Sequence, residues 1–177
     1  MNRLQIGVIG SCSDLNYTTG AQNCARETGR LIACSGSALV YGAEKDINSL
    51  PTEAARAAKT AGGETVAVTY EKGMQVFDQD AATTVIATGL VRGGGRELSL
   101  MLSCDVVIAL SGGSGTLNEI CVAYQANIPV ITITGFGGWS DKLANTYLDE
   151  RKRYKFVAVK TAEQAVRLAL QTKRQVE

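Results

Sequence analysis

The chain has 177 residues, 45% hydrophobic and 20% charged, with a formal net charge of +1. That balance belongs to a folded chain rather than a disordered one, and it predicts a single domain over residues 1–177 that buries roughly 70% of the extended chain's surface. Histidine is absent, which excludes histidine triads, histidine-liganded zinc and imidazole proton shuttles within one chain.

In chain order, LQIGVIG at residues 4–10 predicts a central strand, because a parallel strand buried on both faces is apolar throughout instead of alternating. A helix follows over Thr19–Gly29 with Ala21, Cys24 and Ala25 on one face, and LIACS either finishes it or leads out of it. ALVYGA (38–43) is the second strand, and Ser49 with Pro51 opens a helix that glycines 62 and 63 close. TVAVT (65–69) and Thr84–Thr88 are further strands. RGGGRELSLMLSC leads into a helix, followed by the strand DVVIAL (105–110), the glycine turn SGGSG and a helix to about Ala126. PVITIT (129–134), a glycine-rich loop running into a helix over the WSDKLANTYLDERKRY region, the strand FVAV and a helix opened by the capping box TAEQ complete the chain.

Strands alternating with helices predict an α/β fold, a Rossmann-like three-layer sandwich with a mostly parallel central sheet flanked by helices. Ligands in such sheets sit outside the carboxyl ends of the strands. Four glycine- or serine-rich segments follow strands there: GSCSD (10–14), YGAEK (41–45), SGGSG (111–115) and TGFGG (134–138). They are expected on one edge, with Gly10, Ser11 and Gly42 near a ligand.

No apolar run approaches the ~18 residues of a membrane span, and the N-terminus carries no plausible export signal, so a cytoplasmic location without a membrane partner is expected. The five cysteines (12, 24, 34, 104 and 121) have no CxxC spacing. Cys34, Cys104 and Cys121 read as small buried hydrophobes in a reducing compartment. Basic residues mass only in DERKRYK (149–155) and near Lys173, each read as a solvated helix face or end, not a nucleic-acid footprint.

The stretch SGGSGTLNE (111–119) admits two readings. Gly112, Gly113, Ser114, Gly115 and Thr116 could direct backbone N–H groups at a phosphate, with the helix N-terminus adding positive potential. No lysine follows the glycines, so this is not a Walker loop. Alternatively, Thr116-x-x-Glu119 has capping-box spacing, with Glu119 reaching back to the helix start. Arg96 is anomalous, because a cation in a first helical turn opposes the helix dipole; a bound anion would explain it, and Arg92 is a weaker candidate of the same kind. Cys12, Asp46 and Trp139 have possible ligand roles beside ordinary structural ones.

Arg96 together with DVVIAL and GGSGTLNE resembles the LOG-type family, and more broadly the small Rossmann-like proteins that include molybdenum-cofactor carriers. LOG-type proteins are phosphoribohydrolases that release a free base and ribose 5-phosphate from a nucleoside 5′-monophosphate. The resemblance implies a phosphate turn at Gly112, Gly113, Gly115 and Thr116, catalytic roles for Glu119 and Arg96, no required metal or cofactor, and a homodimer or higher homo-oligomer. It leaves two functions open: hydrolysis of a nucleoside 5′-monophosphate, or non-catalytic carriage of a nucleotide or the molybdenum cofactor. Three positions depart from the pattern: Ser111 replaces the motif's leading proline, Asn118 replaces a glutamate, and EKDINSLPTEAA replaces a glycine-and-methionine segment.

Overall fold

The computed structural model describes residues 3–73 and 75–172; Lys173 and the C-terminal KRQVE lie outside the described residues. In chain order the elements are β1 (Gln5–Gly10), α1 (Thr19–Cys34), β2 (Ala38–Gly42), α2 (Leu50–Thr60), β3 (Glu64–Thr69), β4 (Thr84–Ala87), α3 (Arg96–Leu102), β5 (Val106–Leu110), α4 (Ser114–Gln125), β6 (Val130–Ile133), α5 (Gly138–Lys142), β7 (Val157–Val159) and α6 (Ala162–Gln171). The strands form one sheet in the order β4-β3-β2-β1-β5-β6-β7, and every pair is parallel. This is the α/β Rossmann-like sandwich expected. Strand order reverses between β1 and β5, which opens a crevice at their carboxyl ends.

Two apolar layers flank the sheet. Ile6, Val8, Leu39 and Ile108 face α1, α2 and α6, whose Ala25, Ala54 and Ala165 sit against them. Ile9, Val40, Val107 and Ala109 face α3 and α4, where Leu100, Met101 and Ile120 pack. α1 and α2 approach closely at Gly29, where an added Cβ would lie 1.8 Å from the Ala54 carbonyl oxygen. Gly29 therefore does not end α1; it lets α2 approach, and LIAC completes the helix.

Ser49 caps α2 by accepting the Thr52 N–H, and Thr161 caps α6 by accepting the Gln164 N–H. The segment after β6 departs from expectation. α5 stops at Lys142, and DERKRYK forms turns and irregular chain instead of a helix. Its path is pinned to Tyr124, whose hydroxyl donates to Asp149 at 3.0 Å and accepts the Arg153 N–H at 3.0 Å. The cysteines differ too: Cys104 is buried, Cys121 is half-buried, and Cys34 is exposed at the end of α1.

Candidate functional site

The turn after β5 is built by three serines from distant parts of the chain. Ser111 has φ +58°, and its N–H donates to the Ser140 hydroxyl at 2.8 Å. Proline could neither adopt that φ nor donate that bond. Ser11 at the end of β1 donates to the Ser111 hydroxyl at 3.0 Å and accepts the Gly112 N–H at 2.9 Å. Behind the turn, Trp139 N–H bonds Gly112 O and Ser140 N–H bonds Ser111 O. The fourth glycine segment thus buttresses the turn from behind, and Trp139 is a packing residue with Lys142 over its ring.

α4 begins at Ser114 with Gly113 as N-cap and no side-chain cap. The first intrahelical bond is Leu117 N–H to Gly113 O, so the N–H groups of Ser114, Gly115 and Thr116 precede the ladder at the positive end of the helix. Thr116 is an interior helical residue whose hydroxyl donates to Gly10 O at 3.2 Å. The capping-box alternative therefore fails: Thr116 is not the cap, and Glu119 lies beyond the first turn. Gly115 has ordinary φ, and a Cβ there would meet no atom within 4 Å. Neither packing nor backbone conformation requires a glycine at this point; the space it leaves lies on the cleft.

That cleft encloses about 420 Å³ between the carboxyl ends of β1, β2 and β5, within the usual range for small-molecule sites. One wall is α4, with Gly113 to Thr116, Asn118 and Glu119; Gly10, Cys12, Asp14 and Leu15 form the floor after β1. The third side is Glu44 after β2 with Arg92, Gly93, Arg96 and Glu97. A larger hollow of about 570 Å³ lies at the other end of the sheet, beside Pro129 and Lys155, away from these groups.

Arg96 is buried, with Nη2 3.3 Å from Glu44 Oε1 and Nε 3.5 Å from Glu97 Oε1. Its Nε and Nη1 find no hydrogen-bond acceptor among the described residues. Gly42 belongs to this arrangement and does not line the cleft: a Cβ there would lie 1.9 Å from Arg96 Nη1. Arg92 reaches Glu44 Oε2 at 3.4 Å from an exposed position. Two neighbouring carboxylates thus explain how a cation is tolerated at the start of α3. The Glu97 carboxylate also accepts the Gly93 N–H.

Glu119 is buried at 8% exposure and makes no hydrogen bond or ion pair among the described residues. Burial pushes its carboxyl up to about 7; Arg96 and Arg92 oppose that rise, while Glu97 and Glu44 add to it. Cys12 is also pushed up, to about 11, by burial and by Glu44, so it stays a thiol. Of the residues singled out in the sequence, Gly10, Arg92, Arg96, Gly113, Ser114, Gly115, Thr116, Glu119 and Cys12 meet in the cleft. Ser11, Gly112 and Gly42 support it from beneath, and Asp46 is exposed outside it. Glu44, Glu97 and Ser140 were missed. Glu97 was visible as the helix-start acid beside Arg96, but no local signal marks the other two.

A crevice at the reversal of strand order, with a helix N-terminus and a buried arginine on it, belongs to a Rossmann-like sandwich. The chain belongs to the SLOG cluster4 family, whose profile matches residues 3–166. It is 34% identical over 127 residues to an uncharacterized protein of Archaeoglobus fulgidus, covering 71% of this chain and 76% of that protein. Among solved structures, it is similar to the molybdenum cofactor binding protein of Rippkaea orientalis, at 27% identity and TM-score 0.81 over 97% of this chain and 98% of the other. It is also similar to the molybdenum cofactor carrier protein of Chlamydomonas reinhardtii, at 26% identity and TM-score 0.78 over 96% and 99% of the two chains.

Proposed function

We propose that the protein binds, as cargo and without cleaving it, a small phosphorylated ligand of the nucleotide or pterin-cofactor type, the molybdenum cofactor being the favoured member. The carrying observation is the open first turn of α4 facing the same cleft as Arg96. The free N–H groups of Ser114, Gly115 and Thr116 suit phosphate oxygens. Gly115 leaves room for close approach and the Arg96 side chain lines the same cleft, so the residues present fit such a group. Similarity to a molybdenum cofactor binding protein and a carrier supports the same reading. Among the described residues no group of three or more His, Cys, Asp or Glu could hold a metal ion.

Hydrolysis of a nucleoside 5′-monophosphate is the second reading, favoured by one observation: Glu119 reaches the cleft. Against it, Glu119 makes no hydrogen bond among the described residues that would fix its carboxylate toward a reacting sugar carbon. Native mass spectrometry of gently purified protein, with calorimetry against GMP and AMP, tests the first reading. We expect a bound mass or saturable binding, weakened at least tenfold by Arg96→Ala. An empty protein that also ignores both nucleotides overturns it. Free-base release above that of Glu119→Gln would instead establish the hydrolase.

A further inference from the structure

Glu119 is the buried carboxylate of the cleft that neither accepts a hydrogen bond nor forms an ion pair among the described residues. The neighbouring buried acids differ: Glu97 accepts the Gly93 N–H, and Glu44 holds Arg96 and Arg92. Its charged and titratable neighbours among the described residues come from several elements. Arg96 and Glu97 come from α3, Cys104 from just beyond its end, Glu44 from the loop after β2 and Arg92 from the loop before α3, while Cys12 and Asp14 lie after β1. Arg96 is already engaged by two carboxylates, and the cleft's two arginines stand against four acids, Asp14, Glu44, Glu97 and Glu119. Glu119 is the sixth residue of α4, beyond the first turn where the helix terminus favours an anion.

A phosphate seated on the first turn of α4 adds negative charge close to this carboxylate, since Thr116 and Glu119 are i, i+3 neighbours on one helix face. Like charges in a desolvated site favour protonation of one of them. We infer that an anionic ligand enters this cleft together with one proton from solvent, that Glu119 takes the proton, and that the neutral carboxyl then donates a hydrogen bond to the ligand. Glu119 is on this account a specificity residue, selecting a ligand that presents an acceptor one helical turn from its phosphate. The inference rests on the phosphate-binding reading above. The upward displacement of the Glu119 carboxyl by burial agrees with it.

The test is calorimetric titration of the full chain with GMP at pH 7.5, in buffers of different ionisation enthalpy, for wild type and Glu119→Gln. Wild type is expected to take up a substantial fraction of one proton beyond that taken up by the variant. Its affinity should fall by up to tenfold per pH unit between pH 7 and 8.5 relative to Glu119→Gln. The second ionisation of the nucleotide phosphate, near 6, contributes equally to both proteins and cancels in the difference. Binding with the same uptake and pH slope in both overturns the inference and leaves the phosphate reading intact; no GMP binding by wild type overturns both. Should the variant fail to fold, carbon-13 titration of the Glu119 carboxyl in wild type decides. Its midpoint must rise when GMP is added, and an unchanged midpoint contradicts the proposal.

Discussion

Glu119 is a buried carboxyl whose ionisation weakens the fold. Its folded-state proton affinity is raised, from an ordinary carboxyl near 4.5 to about 7, so between those values the folded chain binds more protons than the unfolded one. Stability must therefore fall as pH rises from about 4.5 to 7 and stay low above it, by about 3 kcal/mol at most from this group. Glu119→Gln should raise the melting temperature at pH 8 and change it little at pH 4.5, measured by thermal denaturation. A helix-capping glutamate would show the opposite at pH 8. Gly42 gives a second prediction at this scale: Gly42→Ala forces the Arg96 guanidinium aside, costing about 1–3 kcal/mol of stability and weakening GMP binding. Denaturant unfolding and calorimetry measure the two effects. Arg96 was legible as an anomaly of charge at a helix start, and the glycine turn was legible as a cluster. The Glu44 partnership and the Ser11–Ser111–Ser140 network were not, because folding alone brings residues so far apart in sequence together.

At the scale of elements, the junction of α1 and α2 is held by one buried acid. Glu53 accepts hydrogen bonds from Asn48, Arg26 and Gln22 and pairs with Arg56 at 2.9 Å. Burial alone would raise its carboxyl, but these contacts outweigh burial and bring it down to about 2. Its contribution is thus present above about 4.5 and lost as pH falls toward 2. Glu53→Ala should destabilise the protein by about 1–3 kcal/mol at pH 7, because it removes charge-assisted hydrogen bonds while Arg26 and Arg56 stay partly in water, as equilibrium unfolding will show. The strands were readable because fully buried parallel strands are continuously apolar. α1 ran past Gly29 because that glycine serves helix packing instead of termination. α5 ends before Asn145, which takes φ +56° and accepts the Ala158 N–H, and Tyr124 then holds Asp149 and Arg153 in a non-helical path; these tertiary contacts override local pattern.

Across the whole molecule, the reversal of strand order between β1 and β5 accounts for the position of the site. Each of the three cleft walls is a segment leaving a strand or entering a helix at the carboxyl edge of one sheet. That edge was foreseeable from the alternation of strands and glycine-rich segments. The supporting role of the fourth segment, behind the turn, was not. The first turn of α4 and Arg96 are together proposed to receive a phosphate. A crystal structure of the protein with GMP tests this most directly. The account predicts phosphate oxygens within hydrogen-bond distance of the Ser114, Gly115 and Thr116 N–H groups, with Arg96 facing the ligand and the glycosidic bond intact. A phosphate seated elsewhere, or a cleaved nucleotide in the cleft, would contradict it.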